Sequence, residues 1–118
     1  MKAFLAGMAI GIAALVNLQL GGIAGAVFFA VGLLTICLNK WDLITGKGTP
    51  IIEGTIDPGD CMRVFFYNAL GVALIWVACW ASPNYPLWEE RAIAIADTRI
   101  ANPWYGNLGV SFICGCCI

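Results

Sequence analysis

The side chains that could carry chemistry fall into three groups: the cysteines, the acidic residues and a polar interruption in an apolar stretch. The 118-residue chain holds 6 Cys and no His. Cys37 and Cys79 lie inside apolar runs, three others crowd the C-terminus, and no pair of C-x-x-C clusters occurs. A structural zinc site needs Cys or His ligands at such spacings. The sequence therefore predicts no metal site, and the cysteines are interpreted as small apolar packing residues.

The acidic residues do not suggest a catalytic pair. Three of the 7 Asp and Glu lie in Thr49–Asp60, where Pro, Gly and the turn signal Asp57-Pro58-Gly59-Asp60 predict a loop. A solvated connector explains these carboxylates better than an active site does. The prediction is a protein that is not an enzyme, with no catalytic residues and no cofactor.

The composition indicates a membrane protein. The chain is 61% hydrophobic and 11% charged, whereas soluble domains carry about 25% charged residues. The net charge of −1 and the scattered Lys and Arg argue against nucleic acid as a partner. Met1–Gln19 resembles a signal peptide but lacks an A-x-A-like cleavage site, so we expect a retained helix. The expected location is the inner (cytoplasmic) membrane, in a bacterial or phage-encoded protein with the lipid bilayer as a partner.

The apolar runs predict an all-α integral membrane protein that forms a single membrane domain over residues 1–118. It has three transmembrane helices, the second interrupted by a loop, and a short fourth C-terminal helix. The predicted segments are the spans Phe4–Leu20, Gly22–Leu38 and Val64–Ser82, a surface helix Leu87–Ile100 and the apolar run Trp104–Ile118.

Two features of these spans predict helix packing. Ala3, Gly7 and Gly11 recur every four residues, which places small residues on one helix face where a neighbouring helix can approach closely. Asn68 is the one strongly polar residue near the start of the third span, and we expect it to hydrogen-bond a neighbouring helix.

The second span is interrupted before it crosses a bilayer. Gly22–Leu38 carries no charge and covers roughly 25 Å as a helix, short of a hydrocarbon core of about 30 Å. Asn39–Asp42 then interrupts it. Irregular backbone at membrane depth survives only inside protein or beside a water-filled cavity, and many transporters bind substrate there. The pattern predicts a pore or carrier.

At these residues the sequence resembles the first inverted repeat of the formate/nitrite transporter family, which also includes hydrosulfide channels. The resemblance covers nearly the whole chain, about half of a full-length member. It is carried first by Phe29-Ala30-Val31-Gly32-Leu33 and Asp42-Leu43-Ile44-Thr45-Gly46 at the family's spacing. Weaker matches are Phe4–Ile12, Asn68, an element ending at Arg99, and Ile113–Gly115.

The resemblance implies a channel or transporter for small monovalent anions of the formate, nitrite and hydrosulfide class. Family subunits have six helices in two inverted repeats, each subunit with its own pore, usually in pentamers. By position, Phe29, Leu33 and Leu43 match the hydrophobic constrictions, although ordinary packing also explains apolar side chains there. Thr45 matches the hydroxyl that faces the anion, and Arg99 stands where most members have Lys. With this assignment, a half-helix from near Thr45 would direct its backbone N–H groups at the anion.

Two further points remain open in the sequence. Lys40 either supplies a local counter-charge on the anion pathway or simply reaches out to a membrane interface. The family's second repeat, with its His, has no counterpart in this chain.

Three arrangements therefore stay open. In the first, identical copies form an antiparallel pair or a pentamer-like ring. In the second, a separate half-transporter polypeptide completes the pore. In the third, the chain is a truncated or phage-type membrane protein with a structural or holin-like role and no selective transport.

Overall fold

The structure is a computed structural model that describes residues 1–47 and 53–108, and within these ranges it is helical with no strand. The main helices are α1 (Lys2–Leu20), α2 (Gly22–Leu38), α3 (Pro58–Cys79) and α4 (Tyr85–Ala101), with a short 3-10 helix at Ile44–Lys47 between α2 and α3. Two of them, α1 and α3, are long and apolar enough to cross a membrane, and α2 is apolar but shorter, with 17 residues. The fold is therefore all-α with two candidate membrane-spanning helices.

Small residues let α1 pack closely against both α2 and α3. A Cβ on Gly7 would lie closer than 3.0 Å to backbone atoms of Asn68, and a Cβ on Gly71 would meet the backbone of α1 at Gly7 and Met8. A Cβ on Gly32 of α2 would lie 2.5 Å from the Cβ of Ala13 in α1. Where backbones approach this closely, dispersion contacts and hydrogen bonds can join helices without a large apolar core.

The apolar core is small, and most large apolar side chains face outward. The buried apolar side chains are Ala3, Ala6, Ala13 and Ile36. In contrast, an outer surface of α2 exposes six large apolar residues: Ile23, Val27, Phe28, Val31, Leu34 and Leu38. Monomeric soluble proteins rarely expose a contiguous apolar surface of this kind.

The third helix begins six residues earlier than the predicted span Val64–Ser82. The Asp57 side chain accepts a hydrogen bond from the Gly59 N–H at 2.8 Å, and Pro58 occupies the first helical turn. An Asp N-cap followed by Pro is a helix start signal. The turn predicted at Asp57–Asp60 is thus the cap and first turn of α3, and the prediction of a loop up to Asp60 is wrong at that end.

The surface helix α4 docks onto the end of α1. The Arg91 guanidinium donates to the carbonyls of Leu18 and Gln19, and the Trp88 indole N–H donates to the Gln19 side chain at 2.7 Å. These carbonyls belong to the last turn of α1 and have no partner within their own helix. Arg91 therefore caps α1 and adds a favourable charge at its negative end.

The predicted C-terminal helix Trp104–Ile118 lies mostly outside the described residues. Residues 104–108 form a helical turn. The prediction for the remainder stays a prediction.

Candidate functional site

The site is built around the break that follows α2. The Lys40 N–H donates to the Cys37 carbonyl and the Trp41 N–H donates to the Ile36 carbonyl, at 3.1 and 3.0 Å. Lys40 itself has a positive φ of 52°. This hydrogen-bond pair with a left-handed residue is a Schellman motif, which usually places Gly at that position. The backbone conformation of Lys40 thus ends α2 and turns the chain.

An ion pair spans the residues after this turn. The Lys47 ammonium lies 2.7 Å from the Asp42 carboxylate, and both side chains are partly exposed. Between them, the Gly46 N–H donates to the Leu43 carbonyl within the 3-10 helix. The predicted half-helix from near Thr45 is, in the described part, only this short 3-10 helix. Any continuation beyond Lys47 falls on residues that the structure does not describe.

Asn68 of α3 connects the break to the helix bundle. Its Nδ2 donates to the Asp42 carbonyl at 3.0 Å and to the Ala3 carbonyl of α1 at 2.6 Å. Its Oδ1 accepts from the Ile44 N–H at 2.9 Å. The side chain is 6% exposed. One carboxamide therefore joins three segments of the chain.

A cavity of about 360 Å³ lies beside this connection. It is lined by four of the residues for which the family resemblance predicts an anion pathway, Phe29, Leu33, Leu43 and Thr45. The remaining lining residues come from α1, the break and α3: Gly7, Ile10, Ile44, Phe65, Asn68, Ala69 and Val72. Thr45 and Asn68 are the lining residues with polar side chains, but the exposed surface of the wall is almost entirely apolar.

A second cavity, of about 460 Å³, is bordered by Asp42 and Ala3. Its lining includes Lys2, Lys47 and Arg63 together with Asp42 and Asp60. Asp60 pairs with Arg63 at 3.4 Å, and both side chains are well exposed. The Asn68 hydrogen bonds thus join a residue that lines the apolar cavity to two residues that line the charged one.

Two of the predicted pathway residues lie away from the apolar cavity. Lys40 is exposed on the turn, and Arg99 is exposed near the end of α4, where its carbonyl accepts from the Asn107 side chain at 2.6 Å. Neither is among the residues that line the cavity. Of the two residues singled out for helix packing on α1, Gly7 borders the cavity and Gly11 faces Ile75.

Sequence reasoning missed two features of the site. It assigned Asn68 to a contact between helices, but not to the break, because side chains 24 and 26 residues apart in sequence give no local signal of pairing. It also missed Phe65 and Val72, which resemble any other apolar residues of a span. No group of three His, Cys, Asp or Glu that could hold a metal ion occurs in residues 1–47 and 53–108.

No family model, curated protein or solved structure matches this chain.

Proposed function

We propose that this chain is a membrane-embedded subunit that conducts small monovalent anions of the formate, nitrite and hydrosulfide class. One observation carries the proposal. Phe29, Leu33, Leu43 and Thr45, which are separated in sequence by the helix break, line one cavity next to that break. The resemblance to formate/nitrite transporters selects the same four residues.

The exposed apolar surface supports a location in the bilayer. Phe28 and Leu34 on α2, and Phe66 and Val77 on α3, are each more than half exposed. In water this surface would cost about 25 cal/mol for each Å². Lipid acyl chains or further helices would cover it at no such cost, and the small residues that join α1 to its neighbours are typical of helix packing in membranes.

The chemistry of the cavity supports a small anion as its occupant. A nearly apolar wall excludes bulk water and hydrated cations. In this proposal the Thr45 side chain, which lines the cavity, turns its hydroxyl toward the anion and donates a hydrogen bond to it. A charge-assisted bond of this kind is stronger than a neutral one. A weakly bound, partly dehydrated anion can enter such a site and also leave it.

The cavity supports an assembly larger than one chain. Phe65 and Val72, on its α3 side, are 48% and 38% exposed. The described residues leave this side of the wall open, and a continuous pore needs another surface against it. A second copy of the chain, in an antiparallel pair or a ring, or a second half-transporter polypeptide would supply that surface. Native mass measurement in detergent, combined with detection of a terminal tag on one or both membrane faces, distinguishes these arrangements.

The test of the function is formate flux into liposomes that contain the purified protein. Thr45→Val keeps the shape and removes the hydroxyl. Losing a hydrogen bond to a charged group costs about 1.5–3 kcal/mol, so flux should fall roughly tenfold to a hundredfold. Thr35→Val is the matched control, because the Thr35 hydroxyl donates to the Val31 carbonyl on the exposed side of α2.

Two results would contradict the proposal at different levels. Wild-type flux no greater than that of protein-free liposomes would exclude anion conduction by copies of this chain alone. Equal flux through the Thr45→Val and Thr35→Val variants would exclude the assigned site.

A further inference from the structure

We propose that Asn68 is a positioning residue that holds the helix break against α1 and α3 and thereby places Leu43 and Thr45 at the apolar cavity. The proposal that Asn68 holds the helix break is based on the hydrogen bonds of its side chain. Its consequence for anion flux rests on the proposed function.

The backbone on either side of Leu43 needs hydrogen-bond partners from outside α2. The chain has left α2 at this point, so the Asp42 carbonyl and the Ile44 N–H cannot be satisfied by α-helical hydrogen bonds. Asn68 bonds to both of them, at 3.0 and 2.9 Å. Backbone polar groups away from water require such partners, and in an apolar setting each unsatisfied group is costly. Asn68 therefore stabilises this conformation of the break.

Asn68 also attaches the break to α1. The same carboxamide donates to the Ala3 carbonyl, so the break is attached to α1 as well as to α3. Asn68 reaches Ala3 because Gly7 has no side chain, and a Cβ on Gly7 would collide with the backbone of Asn68 itself. The close helix contact and the hydrogen bonds thus depend on each other.

The hydrogen-bond partners at position 68 require a carboxamide side chain. The three partners are two acceptors and one donor, which fixes the orientation of the amide: Nδ2 faces the two carbonyls and Oδ1 faces the N–H. Only a carboxamide has two donors and an acceptor of this kind. Asp keeps the acceptor but loses both donors, and Leu keeps the approximate size but loses all three bonds.

The experiment is hydrogen exchange of the peptide that contains Ile44, measured by mass spectrometry on the detergent-purified protein. In Asn68→Leu the Ile44 amide loses its acceptor, and we expect it to exchange about tenfold faster than in the wild type. Asn107→Leu is the matched control, since it removes an Asn whose Nδ2 bonds a backbone carbonyl away from the break. Its Ile44 exchange should equal that of the wild type. An Ile44 exchange rate in Asn68→Leu within twofold of the wild type would overturn the assignment.

Asn68→Asp gives a second measurement that does not depend on the Leu variant folding. At neutral pH the introduced carboxylate faces the carbonyls of Ala3 and Asp42, so exchange at Ile44 should rise and anion flux should fall. Protonation restores one donor. Flux relative to the wild type at the same pH should therefore recover from pH 7 to pH 5, which a general loss of stability would not produce.

The outcomes separate the two proposals. A flux ratio that is the same at pH 7 and pH 5 would overturn the positioning role. If copies of the wild-type chain conduct no anion, conduction by this chain alone is refuted, and the exchange of Ile44 still decides whether Asn68 holds the break.

Discussion

Replacing Gly7 with Ala tests the packing on which the site depends. The new Cβ would lie 2.8 Å from both the carbonyl carbon and the Cα of Asn68, and nearer still to its carbonyl oxygen. Ordinary contact begins at 3.4 Å, so α1 and α3 must separate by about 0.6 Å or more. The obstructing atoms are backbone atoms, which cannot rotate away as a flexible side chain would.

The expected cost follows from three contributions. A gap of 0.5–1 Å forfeits roughly a quarter to a half of the dispersion energy between the facing atoms. Overpacking of this kind typically destabilises by about 1–3 kcal/mol. Ala is a better helix former than Gly by about 1 kcal/mol, which offsets part of the cost. The net prediction is a free energy of unfolding lowered by about 1–2 kcal/mol.

The assay is reversible unfolding in mixed detergent micelles, followed by circular dichroism. Gly106→Ala is the control, because nothing lies within 4 Å of a Cβ at that position. The control should be neutral or slightly more stable than the wild type. If Gly7→Ala matches Gly106→Ala in stability, the close approach of α1 and α3 described above is incorrect.

Three further predictions concern the turn, the cap and the cavity. Lys40→Gly should raise the free energy of unfolding by about 1 kcal/mol, because Gly adopts positive φ without strain. Unchanged formate flux in the same variant would exclude Lys40 as a counter-charge on the anion pathway. Arg91→Ala should lower the free energy of unfolding by about 1–2 kcal/mol, because it removes the cap of α1. Arg63→Ala removes only an exposed ion pair and should change the free energy of unfolding by less than about 1 kcal/mol. Equal losses in the two variants would contradict the capping role. Leu33→Ala should increase leak of ions that the wild type rejects, and unchanged selectivity in liposomes would show that Leu33 only packs.

The pH dependence of conduction offers one more test. His is the side chain whose charge ordinarily changes near neutral pH, and this chain has none. Conduction by an assembly of identical copies should therefore show no titration between pH 6 and 7. A clear midpoint near pH 6.5 in flux through the purified chain alone would contradict this expectation.

Local sequence determined where the chain is helical and where it stops. Long apolar runs predict α1 and α3 because only a helix satisfies the backbone internally over such a length. The polar segment Asn39–Asp42 predicts the end of α2 for the same reason. Asp57-Pro58 predicts a turn but begins α3 in the structure, because an Asp-Pro pair starts helices as well as loops.

Tertiary structure decided what holds the break and what the cavity contains. Asn68 meets Asp42, Ile44 and Ala3 only after α3 has packed on α1, and no spacing rule links residues 24 to 65 positions apart. Arg91 likewise finds the end of α1 only through the docking of α4. Hydrophobic patterning predicts the individual helices, because it depends only on residues that are close together along the chain. The site depends on hydrogen bonds and close contacts between helices, and these exist only once the helices are assembled.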